Sequence, residues 1–302
     1  MTETLNSFRD YLVEQQGVSS NTLESYMRDI VKFSDYVDTR GVAAGDVTSP
    51  FICEYTDSLK ENGKSAATIT RTIASIRSFY RFLIQYGFAS HNPTKGVKLE
   101  KTEKKPPEIL DDAEIRTLLS MPSVDDNKGI RDKAMLELLY ATGIRASELI
   151  NLNVGDVNCL DKNTRGSIVC AGAKEPRTIP IHASACEILR HYIEEIRPKL
   201  LMGHDSGEQA LFINLNGQRL TRQGFWKIVK VYAENAGINK DIKPHTLRHS
   251  FAMHLYRNGA SLQDLQKMLG HADISSTQVY ANIVKQTSFD VYDRCHPFAH
   301  RV

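Results

Sequence analysis

Apolar side chains recur every three or four positions through the first hundred residues, a spacing that predicts helices. One helix follows the N-capping segment Ser19–Thr22, and another begins at Ser49–Pro50. The stretch from Ser65 to Tyr86 predicts a long amphipathic helix, because its apolar residues lie near one face. These apolar residues are Ile69, Ile73, Ile76, Phe79, Tyr80 and Leu83.

The helical pattern breaks at His91-Asn92-Pro93. Residues 98–107 that follow are charged, poor in apolar side chains and terminated by two prolines, which predicts an interdomain linker. The sequence therefore predicts an N-terminal helical domain over residues 1–97, a linker over 98–107 and a second domain over 108–302.

The second domain combines helices with a short β region. Ser167–Cys170 and Arg177–Ile181 are predicted strands on either side of a turn, with Asp156–Cys159 as a third strand. A buried helix is expected from Arg131 to Thr142, ending at Gly143. Further helices are predicted over residues 184–200, 221–236, 246–258, 261–269 and 275–283. The expected fold class is mainly α, with a small antiparallel sheet at one edge of the second domain.

The composition is that of a globular protein, with 41% apolar and 25% charged residues and a net charge of +2. The charge is unevenly distributed. Residues 1–59 carry four Lys or Arg against ten Asp or Glu, whereas residues 60–105 carry ten against three. A basic block of this kind can bind a polyanion, although a solvated basic face has the same composition.

No run of about 18 apolar residues occurs, so no membrane span is predicted. Met1 to Asp10 lack a secretory signal pattern, so a cytoplasmic location is expected. The cysteines are scattered and form no CxxC pair, which argues against a disulfide framework and a thiolate metal site. His245 and His249 have the spacing of a zinc-binding HExxH motif. Thr246 stands where that motif requires glutamate, so no metal is predicted.

Three short segments carry the clearest chemical signal. They are TGIRASEL from Thr142 to Leu149, HTLRHSFA from His245 to Ala252, and LGH from Leu269 to His271, with Tyr280 nine residues after that histidine. In this order and spacing, they resemble the signature of the tyrosine recombinase (phage integrase) family. The resemblance extends over nearly the whole chain, whose length and layout are closest to Xer-type recombinases. It also includes Ser19, Thr22, Tyr26, Thr221–Gly224 and Thr277–Tyr280.

The resemblance implies a helical, SAM-like core-binding domain followed by a mostly helical α+β catalytic domain. It implies site-specific recombination through a 3′-phosphotyrosyl intermediate and Holliday-junction exchange, without a metal, cofactor or ATP. The expected partners are double-stranded DNA carrying specific sites and a homo-tetramer, or a hetero-tetramer with a paralogue. Chromosome-dimer resolution, integration or excision of a mobile element, and DNA inversion all remain open.

The residue types in these motifs suit phosphoryl transfer. Attack on a phosphodiester builds negative charge on the nonbridging oxygens, and the planar forks of Arg145 and Arg248 can stabilise that charge. An isolated arginine would more simply form a surface ion pair. The resemblance makes His271 a third donor to the scissile phosphate and gives His245 a role in proton transfer. It assigns no chemistry to His249, which is expected to be structural.

Tyr280 is the expected nucleophile, and the alternative reading is a packed core tyrosine. Only about a thousandth of a phenol with a pKa near 10 is ionised at neutral pH, so positive charge and a proton acceptor are needed nearby. In the family, a lysine in a β-hairpin turn protonates the leaving 5′-oxygen. Here the turn departs from the usual Gly-Lys-Gly-x-Lys-x-Arg pattern, and Lys174 is assigned as the general acid because it is the only lysine there. Glu148 is expected to orient the site.

Polar residues on the long N-terminal helix and at the start of a C-terminal helix are candidates for DNA contacts. These residues are Lys64, Thr68, Arg71, Ser75, Arg77, Thr221 and Arg222. Residues 284–302 are expected to pack on a neighbouring protomer or to fold back on their own domain. Two other functions are considered: a non-catalytic architectural DNA-binding protein and a type IB topoisomerase-like relaxing enzyme. The complete catalytic set argues against the first, and the separate basic domain favours recombination over the second.

Overall fold

The described residues of a computed structural model of the chain are 2–97, 107–159, 166–171, 176–204, 207–243, 245–270 and 275–283. The chain divides into two compact units, with the boundary between Lys104 and Lys105. Each unit has its own buried apolar cluster. Within the described residues, no helix is long and apolar enough to cross a membrane.

The first unit is helical, as predicted. It comprises α1 (Thr2–Glu14), α2 (Ser20–Thr39), α3 (Ser49–Glu61) and α4 (Ala66–Gln85). The hydroxyls of Ser19 and Ser65 accept hydrogen bonds from the backbone N–H groups of Thr22 and Thr68, which fixes where α2 and α4 begin. Both caps lie at the positions that the sequence pattern indicates.

The predicted apolar face of α4 lies in the core of this unit. Ile73, Ile76 and Tyr80 are fully buried, and the ring of Phe79 meets that of Phe8 edge-on, with centroids 5.0 Å apart. The Tyr80 hydroxyl donates a hydrogen bond of 2.8 Å to the Ala44 carbonyl, so its polar end is satisfied.

The second unit combines helices with a three-stranded antiparallel sheet. The strands are β1 (Val157–Asn158), β2 (Ser167–Cys170) and β3 (Arg177–Pro180), in the order β1-β2-β3. The helices are α5 (Asp112–Ser120), α6 (Asn127–Thr142), α7 (Ala146–Asn151), α8 (Ala183–His191), α9 (Arg197–Leu201), α10 (Arg222–Asn235), α11 (Thr246–Arg257), α12 (Leu262–Leu269) and α13 (Ser275–Ile283). The helices and strands expected from the sequence are present, with boundaries shifted by a few residues.

The predicted helix over residues 184–200 is interrupted. A π-helical turn at Tyr192–Ile196 separates α8 from α9. Pro198 in the first turn of α9 has no backbone N–H, and its ring conflicts with the carbonyl four residues before it, so a regular α-helix cannot continue through this point. The turn also buries Tyr192, whose hydroxyl donates to the Leu211 carbonyl at 3.0 Å.

A buried ion pair anchors α6, the helix that leads into the first motif. The Arg131 guanidinium donates to Asp132 at 2.7 and 2.9 Å and to the Ile213 carbonyl at 3.0 Å. The other Asp132 oxygen accepts the Tyr232 hydroxyl of α10 at 3.0 Å. Because each charge is hydrogen-bonded, the pair can be buried without an uncompensated desolvation cost.

Candidate active site

Arg145 is positioned by a sharp turn at the end of α6. Gly143 caps this helix in the left-handed conformation, with φ of 60°. A Cβ at this position would lie 2.1 Å from the Phe251 ring, so the close approach of α11 also requires glycine. Arg145 follows two residues later as the N-cap residue of α7. The motif therefore places a guanidinium where two helices of the second unit meet.

Glu148 holds Arg145 in this place. Its carboxylate accepts the Arg145 backbone N–H at 2.7 Å and the Nη1 group at 3.0 Å. The Nη2 group of Arg145 donates to the Gly270 carbonyl at 3.1 Å. The Arg145 side chain remains 37% exposed, which leaves it accessible to a bound phosphate.

Arg177 is a further member of this network to which sequence reasoning gave no role. Its Nη1 and Nη2 groups each donate to Glu148 at 2.9 Å, and its Nε donates to the Met268 carbonyl at 3.0 Å. Gly270, with φ of 63°, leaves room for this side chain, because a Cβ there would lie 2.9 Å from the Arg177 Cζ. Arg177 thus ties β3 to α7 and to the end of α12. Its place as the closing arginine of the hairpin motif was the available signal.

Replacing Glu148 by glutamine is expected to lower the free energy of unfolding by about 3 kcal/mol at neutral pH, since Arg177 would lose its buried charge partner. Burial raises the pKa of Glu148, but hydrogen bonds and charge from Arg177 and Arg145 outweigh it and lower the pKa below 4.5. With a folded-state pKa below the unfolded one, the stabilisation is complete above 4.5 and is lost as the pH falls through the folded value.

Urea unfolding at neutral and acidic pH measures this difference. The Glu148→Gln variant should approach the wild type as the wild-type carboxyl becomes protonated. Glu234→Gln is the matched control, because its partner Lys230 forms an exposed surface pair that contributes about 0.5 kcal/mol or less. Equal unfolding free energies for wild type and Glu148→Gln at neutral pH would contradict the expectation.

Arg248 joins the ends of two helices. Its Nη1 donates to the Gly143 carbonyl at 2.8 Å and its Nη2 to the Leu269 carbonyl at 2.7 Å. Burial and then the positive charge of Arg145 lower the pKa of Arg248 to about 10, so the group remains charged at neutral pH. The two arginines therefore bind adjacent carbonyls, those of Leu269 and Gly270, and the positive charges converge at the end of α12.

His245 stands at the start of α11 beside these charges. Burial lowers the pKa of His245, and so do the charges of Arg248, Arg222 and Arg145, in that order. Its side chain is therefore mostly neutral at neutral pH. Part of the His245 side chain still reaches solvent, and its neutral ring suits a group that accepts a proton from a bound reactant.

Tyr280 lies inside the second unit. It is 1% exposed and packs in an apolar cluster with Phe251, Met253 and Leu269. Its hydroxyl is 2.8 Å from Nδ1 of His249. Burial raises the pKa of Tyr280, and the charge of Arg248 acts in the opposite direction. The sequence reading of His249 as structural thus omitted its direct contact with the expected nucleophile.

Comparison with known families identifies the family of the chain. The sequence profile of the phage integrase family matches residues 108–287, and that of the phage integrase N-terminal SAM-like domain matches residues 5–87. The chain belongs to the phage integrase family. The recombinase is 45% identical over 298 residues to tyrosine recombinase XerD of Oceanobacillus iheyensis, covering 98% of each chain. It is 41% identical over 300 residues to tyrosine recombinase XerD of Staphylococcus epidermidis, covering 99% of this chain and 100% of the relative.

Solved structures show the same fold. The XerH site-specific recombinase, in a post-cleavage complex with a palindromic difH substrate, matches with a TM-score of 0.74 and 20% identity, covering 96% of this chain and 84% of that one. A lambda integrase dimer bound to a COC′ core site matches with a TM-score of 0.69 and 18% identity, covering 95% and 97%. The predicted fold class is confirmed. The expected enzyme class, a tyrosine recombinase that breaks and rejoins DNA in site-specific recombination, is confirmed by the family and its relatives.

Four of the six predicted catalytic residues of the recombinase are described. Arg145, His245, Arg248 and Tyr280 all lie in the second unit. His271, the predicted third phosphate donor, and Lys174, the predicted general acid, lie outside the described residues. Their roles stay predictions. No group of three or more His, Cys, Asp or Glu that could hold a metal occurs in the part of the chain that the structure describes.

The predicted DNA contact of Ser75 is corrected by the structure. Ser75 is fully buried, and its hydroxyl donates to the buried Asp29 carboxylate at 3.0 Å. The same carboxylate accepts a fork of hydrogen bonds from Arg71, at 2.8 and 3.0 Å. Ser75 therefore helps to neutralise a carboxylate between α2 and α4, where a DNA strand cannot reach it. The Arg71 side chain is 43% exposed, so part of its guanidinium is accessible at the surface.

The other predicted DNA-contact residues are at the surface or partly so. Lys64 and Arg77 are exposed, although Arg77 also donates to the Thr94 hydroxyl at 3.3 Å. Thr68 is half-buried. Thr221 and Arg222 at the start of α10 are also exposed. The Thr221 hydroxyl caps the helix, and the positive charge of Arg222 acts on His245.

Proposed function

We propose that Tyr280 cleaves DNA by attacking a phosphodiester that Arg145 and Arg248 hold. The observation that carries this proposal is the binding of both arginines to the adjacent carbonyls of Leu269 and Gly270, immediately before His271. We therefore expect Arg145, Arg248 and His271 to donate to the same phosphate. Such preorganised charge stabilises the oxyanions that develop as the phosphoryl group is transferred.

In the cleavage step, the Tyr280 oxygen bonds to phosphorus as the bond to the 5′-oxygen breaks. The phenol proton passes to a neutral acceptor, for which His245 is suited, and Lys174 protonates the leaving 5′-oxygen. The product is a 3′-phosphotyrosyl enzyme with a free 5′-hydroxyl. A 5′-hydroxyl from a partner strand reverses the step and produces a Holliday junction, without ATP, metal or cofactor.

The proposed substrate is double-stranded DNA with specific recombination sites, bound by four protomers of this chain or of this chain and a paralogue. The structural relatives support the DNA partner, because XerH was solved with its difH substrate and lambda integrase with a core site. The XerD relatives favour chromosome-dimer resolution among the possible biological roles. A cytoplasmic location fits such a substrate.

Trapping covalent protein–DNA adducts from cells and sequencing the attached DNA tests this function. We expect one short sequence, or a closely related set, to be recovered. Recovery of random sequence would instead favour relaxation of supercoils by a topoisomerase-like activity. Binding without any adduct would favour the architectural alternative.

Substitutions on the N-terminal unit test its predicted DNA surface. Lys64→Ala is expected to weaken binding and to reduce the slope of log affinity against log salt by about one, since an exposed cation leaves the interface. Ser75→Ala is expected to leave that slope unchanged and to lower the free energy of unfolding by about 1 kcal/mol, because the hydroxyl is buried on Asp29. Fluorescence anisotropy over a salt series measures the slope. A reduced slope for Ser75→Ala would contradict the corrected assignment.

A further inference from the structure

The hydroxyl of Tyr280 is enclosed and held. Phe251, Met253 and Leu269 surround the side chain, which is 1% exposed. His249, on α11, meets the hydroxyl through Nδ1 at 2.8 Å, and the two rings lie at 55° with centroids 5.7 Å apart. A phosphodiester cannot contact an oxygen buried in this way. The nucleophile must therefore leave this hydrogen bond before it can attack.

Neither partner in this hydrogen bond carries a charge at neutral pH. Burial lowers the pKa of His249 to about 4, with help from the charges of His245 and Arg248, so the imidazole is neutral at neutral pH. Burial raises the pKa of Tyr280 above its ordinary value of 10. Both groups are therefore neutral in this hydrogen bond, and His249 is not a base for Tyr280 in this arrangement.

We infer that His249 is a positioning residue whose hydrogen bond holds the Tyr280 hydroxyl inside the domain. This bond thereby limits how readily the nucleophile becomes available for attack. The inference rests on the proposed role of Tyr280. It assigns to the residue after Arg248 a function that the recombination motif does not require. Without a hydrogen-bonding group at the place of Nδ1, the buried hydroxyl would lose its partner, and exposure of Tyr280 should rise about tenfold.

Two substitutions of similar shape separate the hydrogen bond from packing. His249→Asn keeps an oxygen that can accept near the place of Nδ1, whereas His249→Leu has no acceptor. His254→Leu is the matched control on the same helix. His254 is buried and His249 partly so, and the Nδ1 of His254 also meets a tyrosine hydroxyl, that of Tyr140, at 2.8 Å. Its loss should disturb α11 to a comparable degree without releasing Tyr280.

Nitration of the protein without DNA by tetranitromethane, followed by peptide mass spectrometry, measures exposure of the phenol. The rate at Tyr280 is divided by the rate at Tyr86, which is 48% exposed and lies in the other unit. We expect a ratio about tenfold above wild type in His249→Leu, and a ratio close to wild type in His249→Asn and His254→Leu.

Three results would overturn this role of His249. They are an unchanged nitration ratio in His249→Leu, a rise in His249→Asn equal to that in His249→Leu, or such a rise in His254→Leu. The first would show that packing alone protects the tyrosine. The others would show that the disturbance of α11, and not loss of the hydrogen bond, exposes it. Because no DNA is present, failure here leaves the proposed cleavage by Tyr280 untouched. A cleavage failure likewise leaves the nitration result interpretable.

Discussion

Tyr280→Phe is expected to abolish formation of the covalent protein–DNA adduct, a loss on the order of a millionfold or to below detection. Phenylalanine lacks the oxygen that bonds to phosphorus, and no other group in the proposed site can replace it. The ring still fills the apolar cluster with Phe251 and Leu269, so the free energy of unfolding should change by about 1 kcal/mol. Denaturing gels with end-labelled DNA containing the recombination site measure the adduct.

A second tyrosine serves as the control for this loss. Tyr256 is partly buried on α11, and it does not stand nine residues after His271 as the motif requires of the nucleophile. Tyr256→Phe should therefore cleave at the wild-type rate. Tyr280→Phe should bind the same DNA with wild-type affinity, because its lost hydroxyl lies inside the domain. Adduct formation by Tyr280→Phe would mean that another residue is the nucleophile.

Arg248→Ala is expected to reduce the rate of cleavage by roughly a thousandfold. The substitution removes one of the forks that stabilise charge on the nonbridging oxygens. It also leaves the buried carbonyls of Gly143 and Leu269 without their donor, which should lower the free energy of unfolding by about 2 kcal/mol. Single-turnover cleavage of labelled DNA at saturating protein separates the rate from binding.

Arg248→Lys keeps the positive charge and tests whether the planar guanidinium, with its pair of donors, is required. A lysine ammonium cannot reproduce the planar pair of donors that reach both carbonyls, so only part of the rate should return. Arg190→Ala is the control. Arg190 is partly buried, whereas Arg248 is 3% exposed, but Arg190 also donates to a backbone carbonyl, that of Cys159, at 3.0 Å. Cleavage by Arg248→Ala within tenfold of the Arg190→Ala rate would contradict a direct role in phosphate stabilisation.

The parts of the fold that depend on local sequence were predictable. The caps Ser19, Ser65 and Thr221 begin helices where expected, because a hydroxyl followed by helical periodicity specifies a helix start within a few residues. The turn before Arg145 was equally evident, since Gly143 directly follows a helix that was expected to be buried. The order of the motifs in the chain was enough to indicate the family.

Contacts between residues far apart in the chain were not predictable in this way. Ser75 has the sequence position of a surface residue on α4, but packing against α2 brings it to Asp29, 46 residues away. Arg177 and Glu148 are 29 residues apart and meet only because β3 packs beside α7. His249 and Tyr280, 31 residues apart, meet because α11 and α13 pack together. Each of these pairs depends on helix or strand packing, on which sequence periodicity carries no information.

Cleavage by Tyr280 requires that this residue, and no other, becomes covalently linked to DNA. Wild-type protein would be trapped on a nicked substrate, digested with nuclease and protease, and the peptide carrying the nucleotide remnant sequenced by mass spectrometry. We predict a remnant on the hydroxyl of Tyr280, joined through a 3′-phosphate. A remnant on Tyr256, on Tyr292 or on any other residue, or one joined through a 5′-phosphate, would contradict it.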